Sequence, residues 1–254
     1  MLRDHHSSRF DGVAPIKALP QYYADERGRA HFVDALFDHT ARDYDRVERV
    51  LALGSGSRHR RQALRRAGLA PGMHVLDVAT GTGLVAREAL GIVGSRGIVV
   101  GLDPSAGMLN EANRAMTTSL VRGRGESLPF SQSAFDFVSM GFALRHVTDL
   151  DLLFSECHRV LKPGGTLCVL EISKPRVRLV AVSLRLFMTR LVPAIAGVSS
   201  RGSDIRRLMH FYWDTIDACV SPEEVLAALE RSNFGSPEHR VSLGMFSEYV
   251  ATKS

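Results

Sequence analysis

The stretch LDVATGTG, residues 76 to 83, joins an acid to two glycines, and a second acid, Asp103, follows 22 positions after Gly81. These residues could bind a charged small molecule. Gly81-Thr82-Gly83-Leu84-Val85-Ala86 satisfies G-x-G-x-x-G/A, the spacing at which a strand-to-helix turn receives a dinucleotide, and Asp103 stands where such a unit keeps its ribose acid. Asp77 points to a different ligand. A carboxylate at the strand end would repel a pyrophosphate, but it attracts the ammonium and sulfonium of S-adenosylmethionine. The glycines let the methionine part lie close to the backbone, and Asp103 can accept both ribose hydroxyls. The methyl donor is therefore the expected cofactor. An NAD dehydrogenase is the rival that Asp77 disfavours.

These groups need strands and helices to position them. From Met73 the chain alternates strand, turn and helix: MHVLDVA, then GLVAREAL, then GIVVGLD, then the helix SAGMLNEANRAM capped by Ser105. SLVRG, AFDFVSMG, the amphipathic DLDLLFSECHRVL, the stop signal Lys162-Pro163-Gly164-Gly165 and TLCVLEIS continue the pattern, and PEHRVSLG and MFSEYVAT supply two closing strands. The expected fold class is α/β, a doubly wound, mostly parallel seven-stranded sheet with N-terminal and C-terminal helical cap segments. Residues 1–28, with Pro15, Pro20 and Gly12, read as a flexible arm. Residues 29–70 read as a cap of two or three short helices broken at Gly54-Ser55-Gly56, 71–175 as the cofactor-binding core, 176–235 as lid and acceptor helices, and 236–254 as the C-terminal strands.

Composition bounds the remaining classes. The chain has 254 residues, 45% of them hydrophobic and 23% charged, as expected of one globular domain with a substantial core. Its net charge of +5 is scattered, without a basic run interleaved with aromatics, so nucleic acid is not expected as a partner. Cys157, Cys168 and Cys219 are odd in number and lack C-x-x-C spacing, which argues against a disulfide framework or a zinc site and suggests a cytoplasmic location. Neither a signal peptide nor a membrane-spanning run is expected from the sequence.

LDVATGTG, GLDPSAGML, GESLPF, FDFVSMGFALRHVTDL and HRVLKPGGTLCVLEISKP, in that order and spacing, resemble the ubiquinone/menaquinone biosynthesis C-methyltransferase family. The resemblance runs from about His31 to Pro175 and thins beyond it. It implies a class I S-adenosylmethionine-dependent methyltransferase acting on a ring carbon of a quinol or other lipid-like aromatic. The implied cofactor residues are Thr82 in the turn, Asp103 at the ribose, Arg124 and Gly125 near the adenine, and Gly141 after the fourth strand. Asp77, Ala79, Gly81, Gly83, Pro104, Met108 and Glu126 complete the expected cofactor site, with an exposed surface acid as the simpler account of Glu126. Arg124 stands where the family usually shows Asn or Asp, Gly141 where it shows Ser, and Thr80 where Gly is common. Past Pro175 the family's Ser-Ile and His-Pro pattern is replaced by DTIDACVSPEEV, so a natural-product O-, N- or C-methyltransferase and a noncatalytic cofactor-binding protein stay open.

C-methylation of a hydroquinone needs a phenolate-activated ring carbon held in line with the methyl-sulfur bond, and it needs no metal. Arg145, after the fourth strand, is expected at the mouth of the pocket as a group that stabilises the phenolate, against a salt bridge to Asp149 or Asp151. His146, where the family usually has Asn, can act as a general base or simply hydrogen-bond within its loop. Tyr44 aligns with a family Tyr in the cap and can contact substrate or pack. His39 and Asp43, spaced i, i+4, do not make a metal site. The arginine-interrupted apolar run from Arg176 to Ser199 reads as a lid over the pocket, with peripheral membrane contact compatible with that. A homodimer is a further expectation for partners.

Overall fold

The computed structural model describes residues 13–196 and 202–254. Seven strands, β1 (His74–Val78), β2 (Ile98–Asp103), β3 (Ser119–Arg122), β4 (Phe135–Gly141), β5 (Leu161–Ile172), β6 (Phe234–Ser242) and β7 (Phe246–Lys253), form one sheet in the order β3-β2-β1-β4-β5-β7-β6. All neighbouring pairs are parallel except those of β7, which runs antiparallel to both β5 and β6. The order reverses at β1, which pairs with β2 on one side and β4 on the other, and the crevice beyond the carboxyl ends of such a pair is where open α/β sheets bind ligands.

Helices α2 (Gly56–Arg66), α3 (Leu84–Val93) and α4 (Ala106–Ala115) cover one face, where Leu64, Ala89, Ala112 and Phe137 share a core. On the other face α5 (Leu150–Val160) and α9 (Pro222–Arg231) bury Phe154, Val225 and Leu229 against Leu76 and Val138. Covered on both sides, β1 is buried along Val75–Val78, so its acid, Asp77, lies in the interior. A third cluster joins α1 (Glu26–Leu51), α6 (Arg178–Leu186), α7 (Val192–Ala196) and α8 (Gly202–Ala218) through Leu36, Val47, Met188, Val192 and Phe211.

Several expectations are corrected by this packing. The cap opens with one helix of 26 residues rather than two or three short ones, started by the Asp25 side chain on the Gly28 amide and ended by left-handed Leu53 and Gly54. Residues 13–25 of the expected arm are strapped down: Val13 O accepts from the Leu150 amide, Ile16 bridges Cys219, and Leu19 and Tyr23 are buried. Residues 1–12 of the arm, with His5 and His6, lie outside the described residues, and 26–28 open α1. α9, expected among the lid and acceptor helices, packs in the sheet-covering layer with α5. The helix begun at α6 continues through Pro193, a residue that ordinarily ends a helix, with a π turn over Phe187–Leu191 accommodating the proline ring against the preceding turn.

Candidate functional site

Two concavities meet at the C-terminal end of the sheet, with Tyr44 and Phe142 lining both. The first, of about 750 Å³, is walled by Ala79 and Gly81 after β1, Asp103, Pro104 and Met108 after β2, Arg124, Gly125 and Glu126 after β3, and Gly141 and His146 after β4. Ala79 and Phe142, non-glycine residues after β1 and β4, take left-handed φ of 54° and 61°. Such conformations cluster where a site needs the backbone bent in a fixed way.

The glycine turn leaves room for a ligand. Gly81 has φ of 57° with open space where a Cβ would point, while a Cβ on Gly83 would lie 2.5 Å from the Met116 side chain. Asp103 is held against the turn by the Gly81 amide (2.8 Å) and the Ser105 amide (2.9 Å), each of which takes one carboxylate oxygen. Each oxygen keeps a second lone pair for a ribose hydroxyl. Burial raises Asp103 to about 6. Gly141, where the resemblance leads one to expect Ser, has a local reason: a Cβ there would meet Val85 Cγ2 at 2.4 Å.

Several other expected cofactor residues are engaged by the protein itself. Asp77 is behind the turn and off the pocket wall; its oxygens accept from Thr80 Oγ1 (2.6 Å) and Ser139 Oγ (2.7 Å), and burial raises it to about 6. Thr80, in place of the common Gly, thus satisfies an acid that holds the turn. The Thr82 hydroxyl donates to Asp45 of α1 rather than facing the pocket. Arg124 reaches Asp34 of α1 (2.5 Å), and Glu126 accepts from both the amide and the hydroxyl of Thr148. Met108, Val78 and Met140 supply apolar wall, and Gly125 backbone is available to the adenine where Arg124 offers no acceptor. The residues present fit S-adenosylmethionine, and Asp103 and the Gly81 turn are the polar groups placed to hold it.

Sequence reasoning missed the role of α1. Asp34, Asp38 and Asp45, spaced i, i+4, i+11, share one helix face and grip the loops after β3, β2 and β1 in turn: Asp34 takes Arg124, Asp38 takes Ser105 Oγ and the Gly107 amide, and Asp45 takes Thr82 and Arg87. That stripe is a legible signal once the helix is known to be continuous. His39 bonds its own helix at Ala35 O, and Asp43 pairs with Arg46.

The second concavity, of about 880 Å³, is mostly apolar, with Val47, Leu51, Ile172, Leu184, Met188 and Phe246 around Arg60, Arg145 and Tyr212. Arg145 differs from expectation on both counts. Its partner is Glu171, not Asp149, which caps α5, nor Asp151, which pairs with Arg231. Its guanidinium is also buried, donating to Glu171, Thr215 Oγ1 and Phe142 O and lying 5.0 Å over the Tyr212 ring. It positions the loop and the aromatic wall.

His146 is placed differently. Its ring nitrogens are shielded from solvent with no hydrogen-bond partner, and its ring stacks on Phe211 (5.6 Å) and meets Phe37 edge-on (5.2 Å). Arg29 of α1 fixes the loop by donating to the carbonyls of Arg145 and Val147. Burial, then the nearby charges of Arg145 and Arg29, hold the imidazole well below its ordinary pKa, so it is neutral at physiological pH. Tyr44 accepts from the Tyr212 hydroxyl at 3.1 Å, and burial raises the pKa of both.

Comparison with known proteins gives the family and the fold. The model of the ubiE/COQ5 methyltransferase family matches residues 23–236. A ubiquinone/menaquinone biosynthesis C-methyltransferase of Geotalea daltonii is 31% identical over 87% of this chain and 96% of that protein, and one of Syntrophotalea carbinolica is 36% identical over 81% and 86%. Among solved structures, an S-adenosylmethionine-dependent methyltransferase of Aquifex aeolicus superposes with a TM-score of 0.57 at 20% identity, covering 82% of this chain and 98% of that one, a likeness of fold alone.

Proposed function

Since the chain belongs to the ubiE/COQ5 methyltransferase family and is an S-adenosylmethionine-dependent enzyme, we propose that it methylates a ring carbon of a quinol-type acceptor held in the apolar pocket beside the cofactor. The observation that carries the reading is His146: a neutral imidazole without hydrogen-bond partners, facing the cofactor pocket close to Tyr44 and Phe142, where the two pockets meet. The names of the relatives, which carry ubiquinone and menaquinone biosynthesis, and the apolar wall both support an acceptor with a lipid-like body.

S-adenosylmethionine supplies, when bound, an electrophilic methyl group whose transfer leaves a neutral thioether. Asp103 and the Gly81 turn hold the ribose and methionine parts, and α1 closes over them through Asp34, Asp38 and Asp45. His146 accepts the proton of the acceptor hydroxyl, making the neighbouring ring carbon nucleophilic. Phe37 and Phe142 wall the cofactor pocket, Phe142 and Tyr212 the acceptor pocket, and Phe211 backs the His146 ring, an aromatic surround that excludes water. Tyr44, kept protonated by burial and accepting from the Tyr212 hydroxyl, keeps its own O–H free to donate to the oxygen that gains charge. Arg145 acts through others: it braces Phe142 O and the Tyr212 face and adds a positive charge that Glu171 partly neutralises. The methylated ring carbon then loses its hydrogen as a proton to solvent while the ring oxygen takes its proton back from His146, so aromaticity and the neutral imidazole return and one proton is released overall.

The test is single-turnover methyl transfer from labelled cofactor to a panel of demethylated quinols and phenols, with the product identified by mass. The expected product gains one methyl on carbon. His146→Ala should lower the rate by about 10²–10³-fold, and His146→Gln, which can hydrogen-bond without basicity, should rescue little. A near-parental rate for His146→Gln would refute the base assignment. Methylation at oxygen alone would refute the C-methyl reading.

A further inference from the structure

The rod formed by α6, its π turn and α7 has two unlike faces. Inward, Ala181, Met188, Val192 and Ala196 are built into the core with α1 and α8, and Leu184 and Met188 line the apolar pocket. Outward, Leu179 is 75% exposed and Leu186 53%, with Val182, Leu191 and Ile195 exposed beside them. A second element extends the same surface: Val241 and Leu243, at the turn between β6 and β7, line a cleft together with Val177 and Val180, and Leu243, 81% exposed, also lines the apolar pocket. Exposed apolar side chains from two elements far apart in the chain thus surround one rim. Surfaces of this kind are uncommon on proteins that meet only water.

The segment that carries the rod has charges of one sign: between Glu171 and Asp204 the sequence has no acid, and its cations among the described residues are Lys174, Arg176, Arg178, Arg185 and Arg190. Lys174 pairs with Asp217, and Arg176 faces Glu223 across the cleft. Arg178, Arg185 and Arg190 are exposed and have no carboxylate partner among the described residues.

We propose that this surface docks on an anionic phospholipid bilayer, with the outer apolar side chains at the headgroup boundary, the arginines at lipid phosphates, and the acceptor pocket opening toward the lipid. Helices with an apolar face and flanking cations lie in that plane, and each cation near the surface adds to the attraction. The rod is long and apolar enough to cross a bilayer, but crossing would strip Met188, Val192 and Ala196 from the core, so it lies on the membrane. A second copy of the chain is the poorer occupant, because a two-fold pair would set the same unpaired arginines against one another. The access route rests on the pocket assignment proposed above; the docking does not.

The experiment is cosedimentation of the full chain with vesicles of phosphatidylcholine alone or mixed with phosphatidylglycerol, read without turnover. Binding is expected to the mixed vesicles and to weaken with salt. The triple variant R178E/R185E/R190E should lose about a hundredfold in apparent affinity. L179S/L186S should also bind less, with circular dichroism confirming that both variants fold. In the charge variant, methyl transfer to detergent-dispersed acceptor should stay parental while transfer to vesicle-embedded acceptor falls. Equal binding to both vesicle types, or parental binding by the charge variant, would overturn the proposal. So would a dimer, seen by sedimentation equilibrium, that L179S/L186S breaks. Failure of all methyl transfer with vesicle binding intact would instead count against the proposed reaction.

Discussion

The cofactor pocket takes its polar wall from consecutive turns after β1, β2 and β3, each built from residues adjacent in the chain, whereas the acceptor pocket collects single residues from α1, α2, the β4–α5 loop, α6, α8 and the β6–β7 turn. Their ion pairs differ in the same way. Arg124–Asp34, at the cofactor rim, leaves its side chains 44% and 29% exposed, while Arg145–Glu171, at the acceptor wall, leaves 1% and 2%. Water can replace either partner of the first pair. Nothing replaces a partner of the second. The first region is therefore expected to tolerate changes in its bridges and be sensitive at its ligand contacts, and the second to be sensitive in folding itself.

Glu171→Ala should give the largest effect, because it leaves the Arg145 charge buried without its carboxylate: about 3–5 kcal/mol of stability, read from urea unfolding. A loss below about 1 kcal/mol would show that water reaches the pair and erase the contrast. Next, Asp103→Ala should weaken S-adenosylmethionine by about 1–3 kcal/mol in titration calorimetry, since it strands ribose hydroxyls and the Gly81 amide together. Unchanged affinity would mean that the cofactor is held by other groups.

The pH dependence of the cofactor-free protein probes the same side. Asp77 and Asp103 have folded values near 6, above the ordinary carboxylate value of about 3.9, so between the two the folded state binds more protons than the unfolded one. Their contribution is fully present at low pH and lost as pH rises through about 6. Stability should therefore increase by roughly 1 kcal/mol per group on acidifying from about pH 7 to about pH 5, and Asp77→Asn with Asp103→Asn should flatten the slope. An unchanged slope in the double variant would assign the effect to other groups. The smallest change is expected from Arg124→Ala: less than about 1 kcal/mol in stability and little in cofactor affinity, because Asp38 and Asp45 still anchor α1. A large loss of affinity would make Arg124 a cofactor contact.

Local patterns carried most of the fold. The alternation of buried strands and amphipathic helices, Ser105 as the α4 cap and the Ser221 capping box of α9 follow from rules acting within a few residues, and the structure shows each of them. The neighbouring placement of Gly81 and Asp103 was legible for the same reason, because a strand-turn-helix-strand unit brings the ends of β1 and β2 together whatever surrounds them. Asp77 shows the limit. Its position before the turn could be read, but which way its carboxylate faced depended on Ser139, a residue of the neighbouring strand β4.

Arg145 and His146 show the same division at the chemistry. Their types and their place after β4 put them at the carboxyl edge of the sheet from sequence alone. How each of the two is held was decided by Glu171 on β5, Thr215 and Tyr212 on α8, and Phe37 and Arg29 on α1. Chain-local geometry has a period, and a sequence displays it. The pairing of a buried charge is a through-space match between residues far apart in the chain, leaves no period, and exists only once the layers have closed.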